Sequence, residues 1–72
     1  MGRAREAPEE LGGRMGHVVT AIPGGPAPGE VRVAVRGGTE LFLAYCDSPV
    51  EQGASVLVVE DLGGRAVRVL GG

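Results

Sequence analysis

A predicted β-hairpin at residues 29–46 is the strongest structural signal in this 72-residue chain. Valines at positions 31, 33 and 35 alternate with polar or small residues. This period of two is typical of a strand with one buried face. Gly37-Gly38 follows, and glycine tolerates the positive φ angles of a two-residue hairpin turn. Residues 39–46, which are rich in β-branched, aromatic and large aliphatic side chains, complete the hairpin.

Three further strands are predicted, separated by segments rich in glycine and proline. They cover residues 14–22, 54–60 and 65–70. Gly16, inside the first of them, predicts a bulge or a close approach of the backbone. Residues 23–29 contain three prolines and three glycines and are therefore predicted to be a loop. Residues 61–64 are predicted to form the turn between the last two strands.

Five short strands without a credible helix predict an all-β fold, a small five-stranded barrel, because closure removes exposed sheet edges. An OB-fold and an SH3-like barrel both fit. The long first strand favours the OB-fold, since Gly16 stands where that strand must bend to serve both halves. We expect residues 14–70 to form the domain, residues 1–13 a flexible N-terminal tail and residues 71–72 a free C-terminus. The predicted core comprises Val18, Ile22, Val31, Val33, Val35, Phe42, Ala44, Val56, Val58, Val67 and Val69.

Composition narrows the possible functions. Nine acidic residues against seven arginines give a formal net charge of −2, which counts against a dedicated nucleic-acid binder. A single cysteine, Cys46, excludes an internal disulfide. No apolar run approaches the roughly 18 residues that a membrane-spanning helix needs, and no signal peptide is predicted. These features predict a soluble, cytoplasmic protein.

No catalytic, cofactor-binding or metal-binding constellation is predicted. His17 and Cys46 are the candidate base and nucleophile, but nothing in the sequence places them in contact, and Cys46 is interpreted as a small buried hydrophobe. Together with Asp47 and Glu51 they lack any recognised metal-ligand spacing. The Gly-Gly pairs lead into strands or a proline loop instead of a helix N-terminus, so they are interpreted as turns and not as phosphate-binding loops. We therefore expect no cofactor and no enzymatic activity.

The glycines and apolar residues form a sequence pattern that covers about residues 11–70. A glycine-punctuated strand ends in a Pro/Gly loop at residues 11–23, and a glycine precedes alternating valines at residues 29–35. A glycine turn is followed by Phe42-Leu43-Ala44, then a glycine leads to paired valines at residues 53–60, and a last turn and strand cover residues 64–69. In this order and spacing the chain resembles the C-terminal soluble OB domain of NfeD-type proteins. Phe42 stands where that family often has tryptophan.

This resemblance implies a non-enzymatic domain that contacts other proteins. NfeD proteins are associated with stomatin- and flotillin-like membrane scaffold proteins, so the resemblance implies a partner of that kind. The membrane-spanning segments that normally precede the domain have no counterpart in these 72 residues. The charged start at Met1 favours a stand-alone soluble relative over a domain cut from a longer protein. We expect this protein to reach the membrane only through its partner.

The expected interaction face lies on the outward side of the hairpin. If the valines of the first strand and Phe42 and Ala44 of the second point inward, the outward residues are Arg32, Arg36, Glu40, Leu43 and Tyr45. Leu43 and Tyr45 would form a small apolar patch rimmed by charge, as binding sites often do. The alternative is single-stranded nucleic-acid binding, for which many OB-folds use this same face. Two aromatic residues in the whole chain are few for base stacking, so a protein partner is favoured.

Overall fold

Every regular element in residues 11–71, the part of the chain that the computed structural model describes, is a β-strand. The strands are β1 (Met15–Thr20), β2 (Gly29–Val35), β3 (Gly38–Tyr45), β4 (Ser55–Gly63) and β5 (Ala66–Gly71). They close into one barrel in the order β1-β2-β3-β5-β4, and β4 pairs back onto β1. The predicted all-β barrel is confirmed.

The order of the strands identifies which barrel it is. β3 lies parallel to β5, whereas every other neighbouring pair of these strands is antiparallel. In a simple meander β4 would lie beside β3, but here β5 is inserted between them. β1 serves both halves of the barrel, because Gly16 pairs with Val33 of β2 and with Val56 of β4. This is the predicted OB-fold arrangement, and the SH3-like alternative is excluded.

Gly16 marks a close approach of the backbone. A Cβ atom at this position would lie 3.2 Å from both the Arg32 carbonyl oxygen and the Val33 Cγ2 atom. The bulge in β1 falls farther along, between Val18 and Thr20. Of the two explanations that the sequence offered for this glycine, close packing against β2 is therefore the correct one.

The core is built mainly from valine. Ten of the eleven predicted core residues are buried: Val18, Ile22, Val31, Val33, Phe42, Ala44, Val56, Val58, Val67 and Val69. The eleventh, Val35, is half-buried at the end of β2 and packs against the cluster. Leu11, Cys46 and Val50 lie just outside the strands and complete the cluster. The burial of Cys46 confirms its interpretation as a small hydrophobe.

Two segments outside the strands are fastened to the barrel by backbone hydrogen bonds. β1 ends at Thr20 and not at the predicted Ile22, which instead forms an isolated bridge with Val50. The amide of each residue donates to the carbonyl of the other, at 2.8 and 2.9 Å. At the other end of the chain, the Gly13 amide donates to the Val58 carbonyl at 2.7 Å.

These contacts begin before the predicted domain boundary at residue 14. Leu11 is already part of the buried cluster, and at the C-terminal end Gly71 still pairs with Val56 of β4. Residues 1–10 of the predicted N-terminal tail, and Gly72 of the predicted free C-terminus, lie outside the described residues.

Both hairpin turns differ from the prediction in register. Val35 pairs with Gly38, so the first turn consists of Arg36 and Gly37 and not of Gly37-Gly38. The second turn consists of Gly64 and Arg65, both with positive φ (59° and 61°), whereas residues 61–64 were predicted. β4 reaches Gly63 because register shifts after residues 58 and 61 accommodate its extra residues in the pairing with β5.

Candidate interaction surface

Alternate side chains of β3 form an apolar surface on the outside of the barrel. Phe42 and Ala44 are buried, whereas Leu41 and Leu43 are 47% and 43% exposed and Tyr45 is half-buried. We call the outward side chains of Leu41, Leu43 and Tyr45 the outer β3 face. The alternation arises because successive residues of a strand point to opposite sides of the sheet.

Charged residues of the two neighbouring strands border the outer β3 face. On β2, Glu30 lies opposite Leu43, and Arg32 lies opposite Leu41. On the other side, Arg68 of β5 lies beside Tyr45. Thus the apolar surface has an acidic and a basic neighbour on one side and a basic neighbour on the other.

Two of these charged groups already have partners within the chain. The Thr20 hydroxyl donates to a Glu30 carboxylate oxygen at 2.7 Å. The Arg68 Nε donates to Glu60 at 3.4 Å, an ion pair in which both side chains are about half exposed. These contacts hold Glu30 and Arg68 at the border of the outer β3 face.

The structure separates the five residues expected on the interaction face. Arg32, Leu43 and Tyr45 lie on the outward side of β2 and β3, but Arg36 lies in the turn. Glu40 lies opposite Val33 and so shares the parity of the inward-facing residues. Its exposed carboxylate forms an ion pair with Arg65 at 3.6 Å near the β4–β5 turn. Neither Arg36 nor Glu40 lies beside Leu43 on the outer β3 face.

Leu41 belongs to the face but was not among the expected residues. It has the same parity as Leu43 and Tyr45, so the period of two in the sequence was sufficient to find it. A second apolar surface gave no such signal, because its members come from three different strands. We call it the apolar strip: Met15 of β1 lies beside Leu57 of β4, which lies beside Leu70 of β5. All three side chains are exposed.

The residues considered for catalysis and metal binding are not brought together. His17 is exposed on β1, whereas Cys46 is buried in the core. Within residues 11–71, no three histidine, cysteine or acidic side chains are close enough to hold a metal ion. The same part of the chain has no helix that is long and apolar enough to cross a membrane.

The closed five-stranded barrel, with apolar residues displayed on its outer walls, defines a small OB-fold domain. The family model for the NfeD C-terminal domain matches residues 15–70. The chain therefore belongs to the NfeD C-terminal domain family.

Two solved structures are similar to this chain. One is the C-terminal domain of stomatin operon partner protein 1510-C from Pyrococcus horikoshii, at 32% identity and a TM-score of 0.67, covering 94% of this chain and 97% of that one. The other is the soluble domain of the NfeD protein YuaF from Bacillus subtilis, at 32% identity and a TM-score of 0.68, covering 82% of this chain and 70% of that one. No curated protein sequence gives a significant match.

Proposed function

We propose that this chain is a non-catalytic protein-interaction module that acts in the cytoplasm and contacts a stomatin- or flotillin-type membrane scaffold protein. The observation that carries the proposal is the outer β3 face, where Leu41, Leu43 and Tyr45 are accessible together between charged neighbours. The class of partner is supported by the similar domain from Pyrococcus horikoshii, which is described as a stomatin operon partner protein.

The composition of this surface suits a protein partner. The leucine side chains are nearly half exposed, so a partner that covers them stabilises the complex by about 25 cal/mol per Å² of apolar surface buried. Tyr45 offers a large apolar ring and a hydroxyl, a combination that is enriched in protein interfaces. Arg32 and Glu30 at the border would select the partner by charge and set its orientation.

The same surface is poorly suited to single-stranded nucleic acid. Phe42 is buried, so Tyr45 is the only aromatic residue in the sequence that remains to stack on a base. Non-specific single-strand binders combine several aromatic side chains with a basic groove. Here the two outward charged residues of β2, Glu30 and Arg32, have opposite charges, and the net charge of the chain is −2.

The test is capture of a defined partner with the full 72-residue chain. The chain is immobilised and exposed to detergent-solubilised membranes of the native host, and a stomatin- or flotillin-type protein recovered on it is then purified and titrated directly. We expect Leu43→Glu to weaken that binding at least about tenfold, which corresponds to about 1.4 kcal/mol. Met15→Glu is the matched control, because it places the same charge on a comparably exposed apolar residue of the apolar strip.

Three outcomes would contradict the proposal. Unchanged binding by Leu43→Glu would exclude the outer β3 face as the contact surface. Loss of binding in Met15→Glu with retention in Leu43→Glu would move the contact to the apolar strip. Salt-sensitive binding of single-stranded DNA or RNA, with no scaffold protein recovered, would support the nucleic-acid alternative.

A further inference from the structure

β3 and β5 separate at one end of the barrel, so that among the described residues the end of β5 has no strand beside it on the β3 side. Their parallel pairing ends at Tyr45 and Arg68, where β3 ends, whereas β5 continues to Gly71. On its other side β5 remains paired with β4 up to Gly71, opposite Val56. We call the space between residues 46–50 and residues 69–71 the β3–β5 gap.

The backbone groups of β5 that face the gap can be assigned from the hydrogen bonds around them. The Leu43 amide donates to the Arg65 carbonyl at 2.9 Å, so the polar groups of residue 65 point towards β3. Along a strand these groups alternate in direction, so those of Val69 and Gly71 also point to the β3 side. The tight turn agrees with this assignment, because its closing pair, Gly63 and Ala66, directs the groups of even-numbered β5 residues towards β4.

The loop on the opposite wall does not satisfy these groups. Among residues 11–71, no backbone hydrogen bond outside the strands joins residues 46–50 to β5. Val50 directs its own amide and carbonyl to Ile22. The Val69 carbonyl and the Gly71 amide therefore present an acceptor and a donor at the gap. One residue of a peptide strand added parallel to β5 satisfies both groups. Its amide donates to the Val69 carbonyl, and its carbonyl accepts from the Gly71 amide.

The gap is lined by both polar and apolar residues. It forms an open depression of about 460 Å³ between Asp47, Ser48, Pro49 and Val50 on one wall and β5 on the other. Leu70, which lines the depression, is 56% exposed. An extended segment in this space could thus make backbone hydrogen bonds and also cover an apolar side chain.

The charged residues at the gap indicate which kind of peptide segment would bind there. Asp47 is exposed and has no ion-pair partner among the described residues, whereas the other charged residue at the gap, Arg68, is held by Glu60. The gap therefore presents an uncompensated carboxylate and favours a basic side chain. A second copy of this chain is disfavoured, because it carries the same aspartate at its own gap.

We propose that the β3–β5 gap is a docking site for an extended, basic segment of a partner protein. The segment lies parallel to β5, forms backbone hydrogen bonds with Val69 and Gly71, covers Leu70 with an apolar side chain and directs a lysine or arginine towards Asp47. Strand addition to an exposed sheet edge is a common mode of peptide recognition. This site uses none of the residues of the outer β3 face, so it is independent of the function proposed above.

The test is an NMR titration of the full ¹⁵N-labelled chain with a capped seven-residue peptide of alternating valine and lysine. We expect chemical-shift changes centred on Asp47, Leu70 and Gly71, and slower hydrogen exchange of the Gly71 amide in the complex. The same peptide with glutamate in place of lysine should bind at least about tenfold more weakly to the wild-type chain. Asp47→Lys should reverse this preference.

Gly71→Pro tests the backbone hydrogen bond directly. Proline removes the amide that faces the gap, so we expect the fold to be retained and peptide binding to fall about tenfold, whereas Gly71→Ala should bind like the wild type. Shifts centred on Leu43 instead of Gly71, or equal binding of both peptides, would overturn the proposal. So would shifts at residues 69–71 that depend on protein concentration without peptide, or unfolding of Gly71→Pro, which would place that amide in the ladder with β4.

Discussion

Gly29 lies against the backbone of Thr20 so closely that a Cβ atom at position 29 would overlap the Thr20 carbonyl oxygen. The same Cβ atom would be 2.6 Å from the Ala21 carbonyl oxygen. The contact occurs beside the bulge of β1, where Thr20 takes Glu30 as its partner on β2. Glycine is therefore required at the start of β2 by the path of another strand and not by a positive φ angle.

Gly29→Ala is expected to lower the free energy of unfolding by about 3 kcal/mol, because backbone atoms must move to admit the methyl group. Thermal or urea unfolding followed by circular dichroism measures the loss. Gly12→Ala is the control: its nearest neighbour would be 3.9 Å away, so the change should stay within about 0.5 kcal/mol. Equal stability of the two variants would show that β1 and β2 do not approach so closely.

Val33→Asp is expected to unfold the domain. Val33 is fully buried, and an unpaired carboxylate there would cost several kcal/mol, a large part of the stability of so small a domain. The amide dispersion of a ¹⁵N–¹H NMR spectrum reports the loss of structure. Ala34→Asp places the same charge on the next, exposed residue and should leave the spectrum dispersed. A folded Val33→Asp chain with an unchanged melting temperature would refute the register of β2.

Arg65→Gly is expected to stabilise the protein. Arg65 holds a φ of 61°, a left-handed conformation that costs a residue with a side chain about 1–2 kcal/mol and costs glycine little. The substitution loses the ion pair with Glu40, but both partners are exposed. We expect a net gain of about 0.5–1 kcal/mol, or a few degrees in melting temperature. Glu40→Gln removes the ion pair alone; a larger loss in that variant than the gain at position 65 would contradict this account.

The bridge between Ile22 and Val50 is expected to protect two amides that lie outside the strands. Both residues donate and accept a backbone hydrogen bond, so their amides should exchange slowly with solvent. The amide of the exposed Ser48 forms no such bond with the described residues and should exchange fast. Ile22→Ala should abolish the protection and lower the free energy of unfolding by about 3 kcal/mol. Fast exchange at Ile22 in the wild type would show that this loop is not fastened to the barrel.

Alternating valines and glycine punctuation were sufficient to predict the strands, the all-β class and most of the core. Val31, Val33, Val67 and Val69 are all buried as their period of two predicts. Local pattern also separated Leu43 and Tyr45 from their buried neighbours. These inferences succeed because side chains alternate across a strand whatever the strand pairs with, so the two faces are encoded within a few residues.

The turn register and the burial of Leu11 could not be predicted from the local pattern. Gly38 follows Gly37 and satisfies the same turn rules, but pairing of Val35 with Gly38 puts Arg36 in the turn. Leu11 stands among glycines without any periodicity, yet it is buried in the common core. The register of a hairpin depends on which alignment pairs the two strands best over their whole length. The burial of an isolated residue depends on which distant parts of the chain pack against it.

The sequence by itself determined the strand content, the inward and outward faces and the membership of the core, because each follows from neighbours a few positions away. Only the tertiary structure decided what comes together from distant parts of the chain. The overlap of Gly29 with Thr20, the apolar strip of Met15, Leu57 and Leu70, and the β3–β5 gap all arise from how five strands close into a barrel. The physical reason is that closure is a property of the complete set of strand pairings, and no single strand carries it.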